Sequence, residues 1–154
     1  MSVQRPNTSQ TIMDENDLHH AAKVGNAEIV TRMLKNGAKI DAVDEMGFMP
    51  IHNAAKVGNI EVLKILISNG GDLNSRDNNG CTPLHYAAGN NRAEVVELLI
   101  SGGADYEICD RFGSTPLHHA AEAGNASVVK ILLEKGAKSK TQIDEKTLST
   151  FLNE

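Results

Sequence analysis

The chain has 154 residues, of which 40% are hydrophobic and only 3% are aromatic, and its formal net charge is −5. The scarcity of large rings predicts an aliphatic core. The acidic balance argues against nucleic acid as a partner, because a nucleic-acid binder carries a clustered basic face. No run of about 18 consecutive apolar residues is present, so we expect no membrane span and no membrane partner.

The chain begins with a polar segment. Residues 1–13 lack the apolar stretch of a signal peptide and predict a disordered N-terminal tail, followed by one domain over residues 14–154. The two cysteines, Cys81 and Cys109, are too few for a disulfide framework. We therefore expect two free thiols and an intracellular protein, cytoplasmic or nuclear.

A repeat of 33 residues organises the rest of the chain. Equivalent residues lie 33 positions apart among four histidines, the alanine pairs that follow them and the turn glycines. The histidines are His19, His52, His85 and His118. A fixed period of this length predicts a stacked array rather than one closed core. Residues 144–154 form either a native terminal cap or a truncated fifth repeat. The repeats before them lie at about residues 14–43, 44–76, 77–109 and 110–143.

In each repeat the sequence pattern predicts a turn followed by two helices, and this pattern is clearest in the third repeat. Gly80 can take the positive φ that a tight turn requires. Thr82 is an N-cap, and Pro83 occupies the first helical position, where its missing N–H costs nothing. A second helix follows over the apolar stripe from Val95 to Ile100. The sequence therefore predicts a helix-turn-helix unit in every repeat.

Two positions depart from the repeat pattern at helix ends. Met49 stands where the third and fourth repeats have Thr82 and Thr115, and the loss of a side-chain cap should cost about 1 kcal/mol. Asn91 stands where the other repeats have glycine, and asparagine is the next-best residue for a left-handed turn. We expect a weaker start for the first helix of repeat 2 and an unchanged chain path in repeat 3.

Residues 82–88 (TPLHYAA) and 114–121 (STPLHHAA) resemble the signature of ankyrin repeats. The resemblance covers residues 14–143 and implies an all-α solenoid of stacked helix-turn-helix units with short β-hairpin turns. It also implies a non-catalytic module that binds another protein. The fold alone does not identify that partner, and we expect the chain to be a monomer.

The histidines invite a metal or acid–base interpretation. Stacked helices lie roughly 8–10 Å apart, whereas zinc ligands lie roughly 2.0–2.1 Å from one ion, so the repeating histidines cannot share a metal. The resemblance implies instead that they bond the cap threonine and nearby backbone. His20 and His119 adjoin repeating histidines but point in other directions. With no P-loop and no nucleophile elbow, we expect no catalytic residue, cofactor or metal site, and the alternative of an enzyme or metal protein is disfavoured.

The resemblance implies a partner that lies across the turn tips and the exposed residues of the first helices. Phe48 and Phe112 fall at predicted turn tips, where exposed rings are unusual, and we interpret them as interface residues. The alternative is that these rings fold back onto neighbouring turns. The partner-binding residues predicted in this way are Lys23, Met46, Phe48, Lys56, Arg76, Asn78, Asn79, Cys81, Arg111, Phe112, Ser114 and Glu122.

Narrower functions stay open. Residues 79–88 with Asn91 and Arg92 resemble a repeat of gankyrin-like assembly chaperones of proteasomal ATPases, and small kinase inhibitors share the fold. A regulatory inhibitor or assembly chaperone is therefore the alternative function. Asn74 resembles the asparagine that asparaginyl hydroxylases modify on ankyrin turns and is a candidate hydroxylation site. At the end of the chain, Phe151 and Leu152 are expected to cover repeat 4.

Overall fold

The computed structural model describes residues 15–137. The predicted N-terminal tail and the predicted cap with Phe151 and Leu152 lie outside the described residues. Residues 15–137 contain helices and no strand. In chain order, the helices are α1 (Glu15–Val24), α2 (Ala27–Lys35), α3 (Pro50–Val57), α4 (Ile60–Ser68), α5 (Pro83–Gly89), α6 (Ala93–Ser101), α7 (Pro116–Glu122) and α8 (Ala126–Glu134).

The helices form two layers. The first helices of the repeats, α1, α3, α5 and α7, pack one after another, and the second helices, α2, α4, α6 and α8, form a parallel row. Each first helix also packs against the second helix of its own repeat. This arrangement confirms the stacked array that the 33-residue period predicts and the all-α solenoid that the resemblance to ankyrin repeats implies.

The core between the layers is aliphatic. Leu18, Ile51, Leu84 and Leu117 occupy the same position in the four first helices, and none is more than 1% exposed. The alanine pairs after the histidines are buried as well, and their small side chains let neighbouring helices approach closely. Because each apolar stripe is covered by the next repeat, stability comes largely from the contacts between repeats.

The turns between repeats are built around an aspartate. In repeat 3, Asp77 Oδ1 accepts hydrogen bonds from the backbone N–H groups of Asn79 and Cys81, both at 2.9 Å. Gly80 closes this turn at φ 79°, and a Cβ there would lie 3.0 Å from the backbone nitrogen of Arg111. Glycine is therefore required both by the backbone angle and by the neighbouring turn.

Adjacent turns are joined by backbone hydrogen bonds. Asn78 N donates to Met46 O, and Arg111 N donates to Asn79 O, each at 3.0 Å. Where the resemblance implied short β-hairpins, residues 15–137 contain hydrogen-bonded turns without strands. Each turn has a single cross-turn ladder bond, such as Asp77 N to Cys81 O at 2.9 Å, and one bond is too few to define a strand.

The helix ends follow the two departures noted in the sequence. Thr82 Oγ1 accepts a hydrogen bond from His85 N, whereas the side chain of Met49 makes no cap bond. Asn91 takes φ 60°, the left-handed conformation that glycine provides in the other repeats. The missing cap bond at Met49 and the left-handed conformation of Asn91 are as predicted.

Candidate protein-binding surface

The repeating histidines link each repeat to the next. His52 Nδ1 accepts a hydrogen bond from Met49 N at 3.0 Å, and its Nε2 donates to Cys81 O at 3.1 Å. His85 makes the same pair of bonds in the next repeat, and its Nε2 donates to Ser114 O at 2.9 Å. Burial lowers the pKa of His85 to about 4 and also lowers the pKa of His52. Both imidazoles are therefore neutral structural links, as the resemblance implied.

Phe48 does not lie exposed at its turn tip. The ring is 8% exposed and packs against His52 and Tyr86, with centroid distances of 5.2 Å to each. The Lys56 ammonium lies 5.8 Å from the Phe48 centroid and 5.7 Å from that of Tyr86. The expected exposure of Phe48 is wrong, and the alternative of a ring folded onto the neighbouring repeat is correct.

Cys81 occupies the position of Phe48 in the following repeat and is also buried, at 5% exposure. Its thiol faces the interior of the junction next to Asp110, and its contact with a partner stays a prediction. By contrast, Phe112 is 70% exposed, and the Arg111 guanidinium lies 5.1 Å from its ring centroid. Met46 is exposed as well, at 57%.

Several other predicted residues already have hydrogen-bond partners within the protein, some of them in a neighbouring turn. Arg76 donates from Nη2 to Cys109 O at 2.9 Å, and Asn78 donates from Nδ2 to Glu45 O at 2.9 Å. Glu122 pairs with His118 at 3.0 Å within helix α7. Ser114 provides a carbonyl to His85 through its backbone. Arg76 and Asn78 are exposed but already bonded, so they offer a partner fewer free donors than the sequence suggested.

A depression of about 440 Å³ lies on the face formed by the turns and first helices of repeats 1–3, and we call it the repeat 1–3 depression. It brings together four of the predicted partner-binding residues, which are Lys23, Met46, Lys56 and the largely buried Phe48. Its lining residues are Lys23, Asp44, Met46, Phe48, Asn53, Lys56, Val57, Asn90 and Arg92.

Five of the lining residues, including Arg92 and Asn53, were not predicted as binding residues. Arg92 follows the left-handed Asn91 and folds back over repeat 2, where its Nε donates to Lys56 O at 3.2 Å. Asn53 Oδ1 is buried and has no hydrogen-bond partner among the described residues. Local sequence patterns carry no signal for either feature, because both depend on how repeats 2 and 3 pack.

A polar cluster lies at the junction of repeats 3 and 4. Cys81 Sγ lies 3.8 Å from Asp110 Oδ2, and that oxygen accepts a hydrogen bond from His119 Nε2 at 2.9 Å. Burial raises the pKa of Cys81 to about 11. Burial also works to raise the pKa of Asp110, but hydrogen bonds from Ser114 N, His119 and Phe112 N outweigh it and lower that pKa.

Two family models match this chain. One, described as "Ankyrin repeats (3 copies)", matches residues 18–110, and one described as "Ankyrin repeat" matches residues 112–145. The chain belongs to the ankyrin-repeat family. Ankyrin repeats are generally protein–protein interaction modules, so another protein is the expected class of partner for this ankyrin-repeat protein.

A search of curated proteins found no match, so the resemblance of repeat 3 to gankyrin has no support there. Among residues 15–137, none of the helices has the length and apolar character needed to cross a bilayer.

The candidate hydroxylation site joins two repeats. Asn74 Oδ1 accepts a hydrogen bond from Asp105 N at 2.8 Å, and Asn74 N donates to Asp72 Oδ1 at 2.9 Å. The side chain is half-buried. Its modification stays a prediction.

Proposed function

We propose that this chain is a non-catalytic binding module that seats an acidic side chain of a partner protein in the repeat 1–3 depression. The observation that carries the proposal is the convergence of Lys23, Lys56 and Arg92 on one depression, where they outnumber the single lining carboxylate, Asp44, in a chain whose net charge is −5. Charge complementarity across an interface provides specificity and accelerates association. The matching surface of the partner is therefore acidic.

The two central cations are held in position before a partner arrives. Lys56 lies over the rings of Phe48 and Tyr86, an arrangement that attracts an ammonium group to the ring faces. Arg92 is anchored through Nε to Lys56 O, and its guanidinium has further N–H donors for a carboxylate. Because these side chains already have preferred positions, binding requires less ordering.

The apolar lining residues of the depression fit an apolar side chain of the partner next to its acidic one. Met46 is 57% exposed, and both Met46 and Val57 line the depression. We therefore propose a segment with an acidic residue and an apolar residue close together.

Phe112 and Arg111 form a second contact region in this proposal. They lie on the turn of repeat 4, and the ring is 70% exposed. A standard protein interface buries about 1,600 Å² in total, which is more than one depression supplies. A partner that reaches from the repeat 1–3 depression to Phe112 would cover several turns.

Charge reversal in the depression tests the proposal. The double variant Lys56→Glu, Arg92→Glu is compared with wild type by quantitative capture of proteins from a lysate of the source cell, followed by affinity measurement on the captured partner. We expect the affinity to fall at least tenfold, or about 1.4 kcal/mol, and wild-type binding to weaken with salt.

A matched control carries the same charge change elsewhere. Lys35→Glu, Lys64→Glu alters two exposed lysines on the second helices α2 and α4, and we expect it to bind as wild type does. Equal losses in both double variants, or no loss in the first, would contradict the proposal.

The same capture distinguishes the narrower functions. A proteasomal ATPase subunit would support an assembly chaperone, and a kinase would support a regulatory inhibitor. We also propose an intracellular location, because Cys81 and Cys109 are both free thiols, as is usual in a reducing compartment.

A further inference from the structure

Three side chains with metal-binding atoms meet at the junction of repeats 3 and 4. Cys81 Sγ, Asp110 Oδ2 and His119 Nε2 all lie within 4.8 Å of one another. Zinc binds thiolate, carboxylate and imidazole at roughly 2.0–2.3 Å, which places ligands of a tetrahedral ion roughly 3.4 Å apart. Two of the three separations, 3.8 Å from Cys81 Sγ to Asp110 Oδ2 and 2.9 Å from His119 Nε2 to Asp110 Oδ2, bracket that value, and the third is at most 4.8 Å.

The junction of repeats 2 and 3 shows how the equivalent positions pack when they carry no cysteine or histidine. There the equivalent residues are Phe48, Asp77 and Tyr86; the two rings pack together, and Tyr86 Oη donates a hydrogen bond to Asp77. The aspartate is common to both junctions because its Oδ1 closes the turn. At the junction of repeats 3 and 4, Cys81 stands in place of Phe48 and His119 stands in place of Tyr86. The junction of repeats 2 and 3 forms with aromatic rings at these positions, so the repeat geometry alone does not require cysteine or histidine there.

The cluster is preorganised by its surroundings. Asp110 Oδ1 accepts hydrogen bonds from Phe112 N and Ser114 N, both at 2.9 Å, which fixes the carboxylate and directs Oδ2 towards Cys81 and His119. The side chain of Asp110 is 4% exposed and that of His119 is 29% exposed. An ion would therefore enter from the side of His119 and become largely enclosed.

We propose that Cys81 Sγ, Asp110 Oδ2 and His119 Nε2 bind one Zn²⁺ ion, with water as the fourth ligand. Thiolate, imidazole and carboxylate together suit zinc, and the two negative charges of the thiolate and carboxylate balance the charge of the ion. The site goes beyond partner binding, since it joins repeat 3 to repeat 4 through the metal.

Binding is coupled to proton release. As the zinc–sulfur bond forms, the proton of the Cys81 thiol passes to solvent, and the proton on His119 Nε2 moves to Nδ1 through solvent so that Nε2 can coordinate. The hydrogen bond between His119 and Asp110 is replaced by two bonds to the ion. Because a buried thiol must be deprotonated, affinity increases with pH.

Cobalt is the optical probe for this site. The full chain, without a histidine tag, is stripped with a chelator and titrated with Co²⁺. We expect one equivalent to bind with a sulfur-to-cobalt charge-transfer band, and Zn²⁺ to displace it. Zn²⁺ should also raise the melting temperature of the wild type, because it binds the folded state.

Two variants remove single ligands with residues that the repeats themselves use. Cys81→Ser introduces the residue found at position 114, and His119→Asn introduces the residue found at position 53, so both should fold, which far-UV circular dichroism checks. Each is expected to lower metal affinity at least about tenfold and to abolish the shift in melting temperature. Cys109→Ser, which removes the exposed thiol, is the control and should bind as wild type does.

The proposal is overturned by any of three results. These are the absence of a sulfur charge-transfer band, a loss of binding in only one of the two ligand variants, and a loss in Cys109→Ser. None of these outcomes depends on the partner protein, so the zinc site and the repeat 1–3 depression are tested separately.

Discussion

Phe48 and Tyr86 lie in adjacent repeats with ring centroids 5.2 Å apart and planes inclined by 50°. The contact makes Phe48 part of the junction between repeats 2 and 3, although the residue belongs to a turn. Lys56 then covers both rings from the solvent side. The same contact therefore stabilises the array and forms one wall of the repeat 1–3 depression.

The two phenylalanines of the turns should respond differently to truncation. Phe48→Ala removes a ring that is 8% exposed and is expected to lower the free energy of unfolding by about 3 kcal/mol. Phe112→Ala removes a ring that is 70% exposed and should change it by less than about 0.5 kcal/mol. Urea unfolding measures both. Similar losses in the two variants would show that Phe48 is not a junction residue.

The stability of the array should fall in mild acid because His85 is buried as a neutral imidazole. Its pKa is about 4 in the folded protein and 6.5 when unperturbed. Between those two pH values the unfolded state binds a proton that the folded state does not, so stability is lost as the pH falls from about 7 to 4. This linkage amounts to roughly 3 kcal/mol and levels off below pH 4.

Replacing His85 isolates its share of this loss. His85→Gln is expected to be less stable at pH 7 because it lacks the bonds to Thr82 and Ser114, but its free energy of unfolding should decline less steeply between pH 7 and 4. Chemical denaturation at a series of pH values measures both slopes. Parallel profiles for wild type and variant would exclude His85 as the titrating group.

The uncapped start of helix α3 offers a stabilising substitution. Met49→Thr should provide the side-chain bond that Thr82 and Thr115 make to the N–H three residues later, raising the free energy of unfolding by up to about 1 kcal/mol. Thr82→Ala is the converse control and should lower it by a similar amount. If Met49→Thr instead lowers stability, the packing of Met49 against the core outweighs the cap.

Much of the architecture could be predicted because its signals are local or strictly periodic. Proline after the cap position, glycine in the turns and the 33-residue spacing define each helix and its repeat. The role of His85 followed from the family resemblance. Lys23, Met46 and Lys56 were also placed on the binding surface by their positions in the repeat, and they line one depression.

The direction of turn side chains could not be predicted in the same way. Phe48 lies two positions later in its repeat than Phe112, whose equivalent in repeat 2 is the exposed Met46. Phe48 packs beneath Lys56 and against Tyr86 of the next repeat, whereas Phe112 is exposed. The sequence pattern of one turn does not reveal which side chain of the next repeat that turn will contact.

The primary structure alone specified a solenoid, since every repeat encodes its own turn and helices and presents an apolar stripe that only a neighbour can cover. The packed array was needed to reveal which side chains meet at each junction. Cys81 and His119 are 38 residues apart in the chain, and no local rule connects them. They meet because the turn of repeat 3 and the first helix of repeat 4 both contact Asp110. These contacts form only when the two repeats pack against each other.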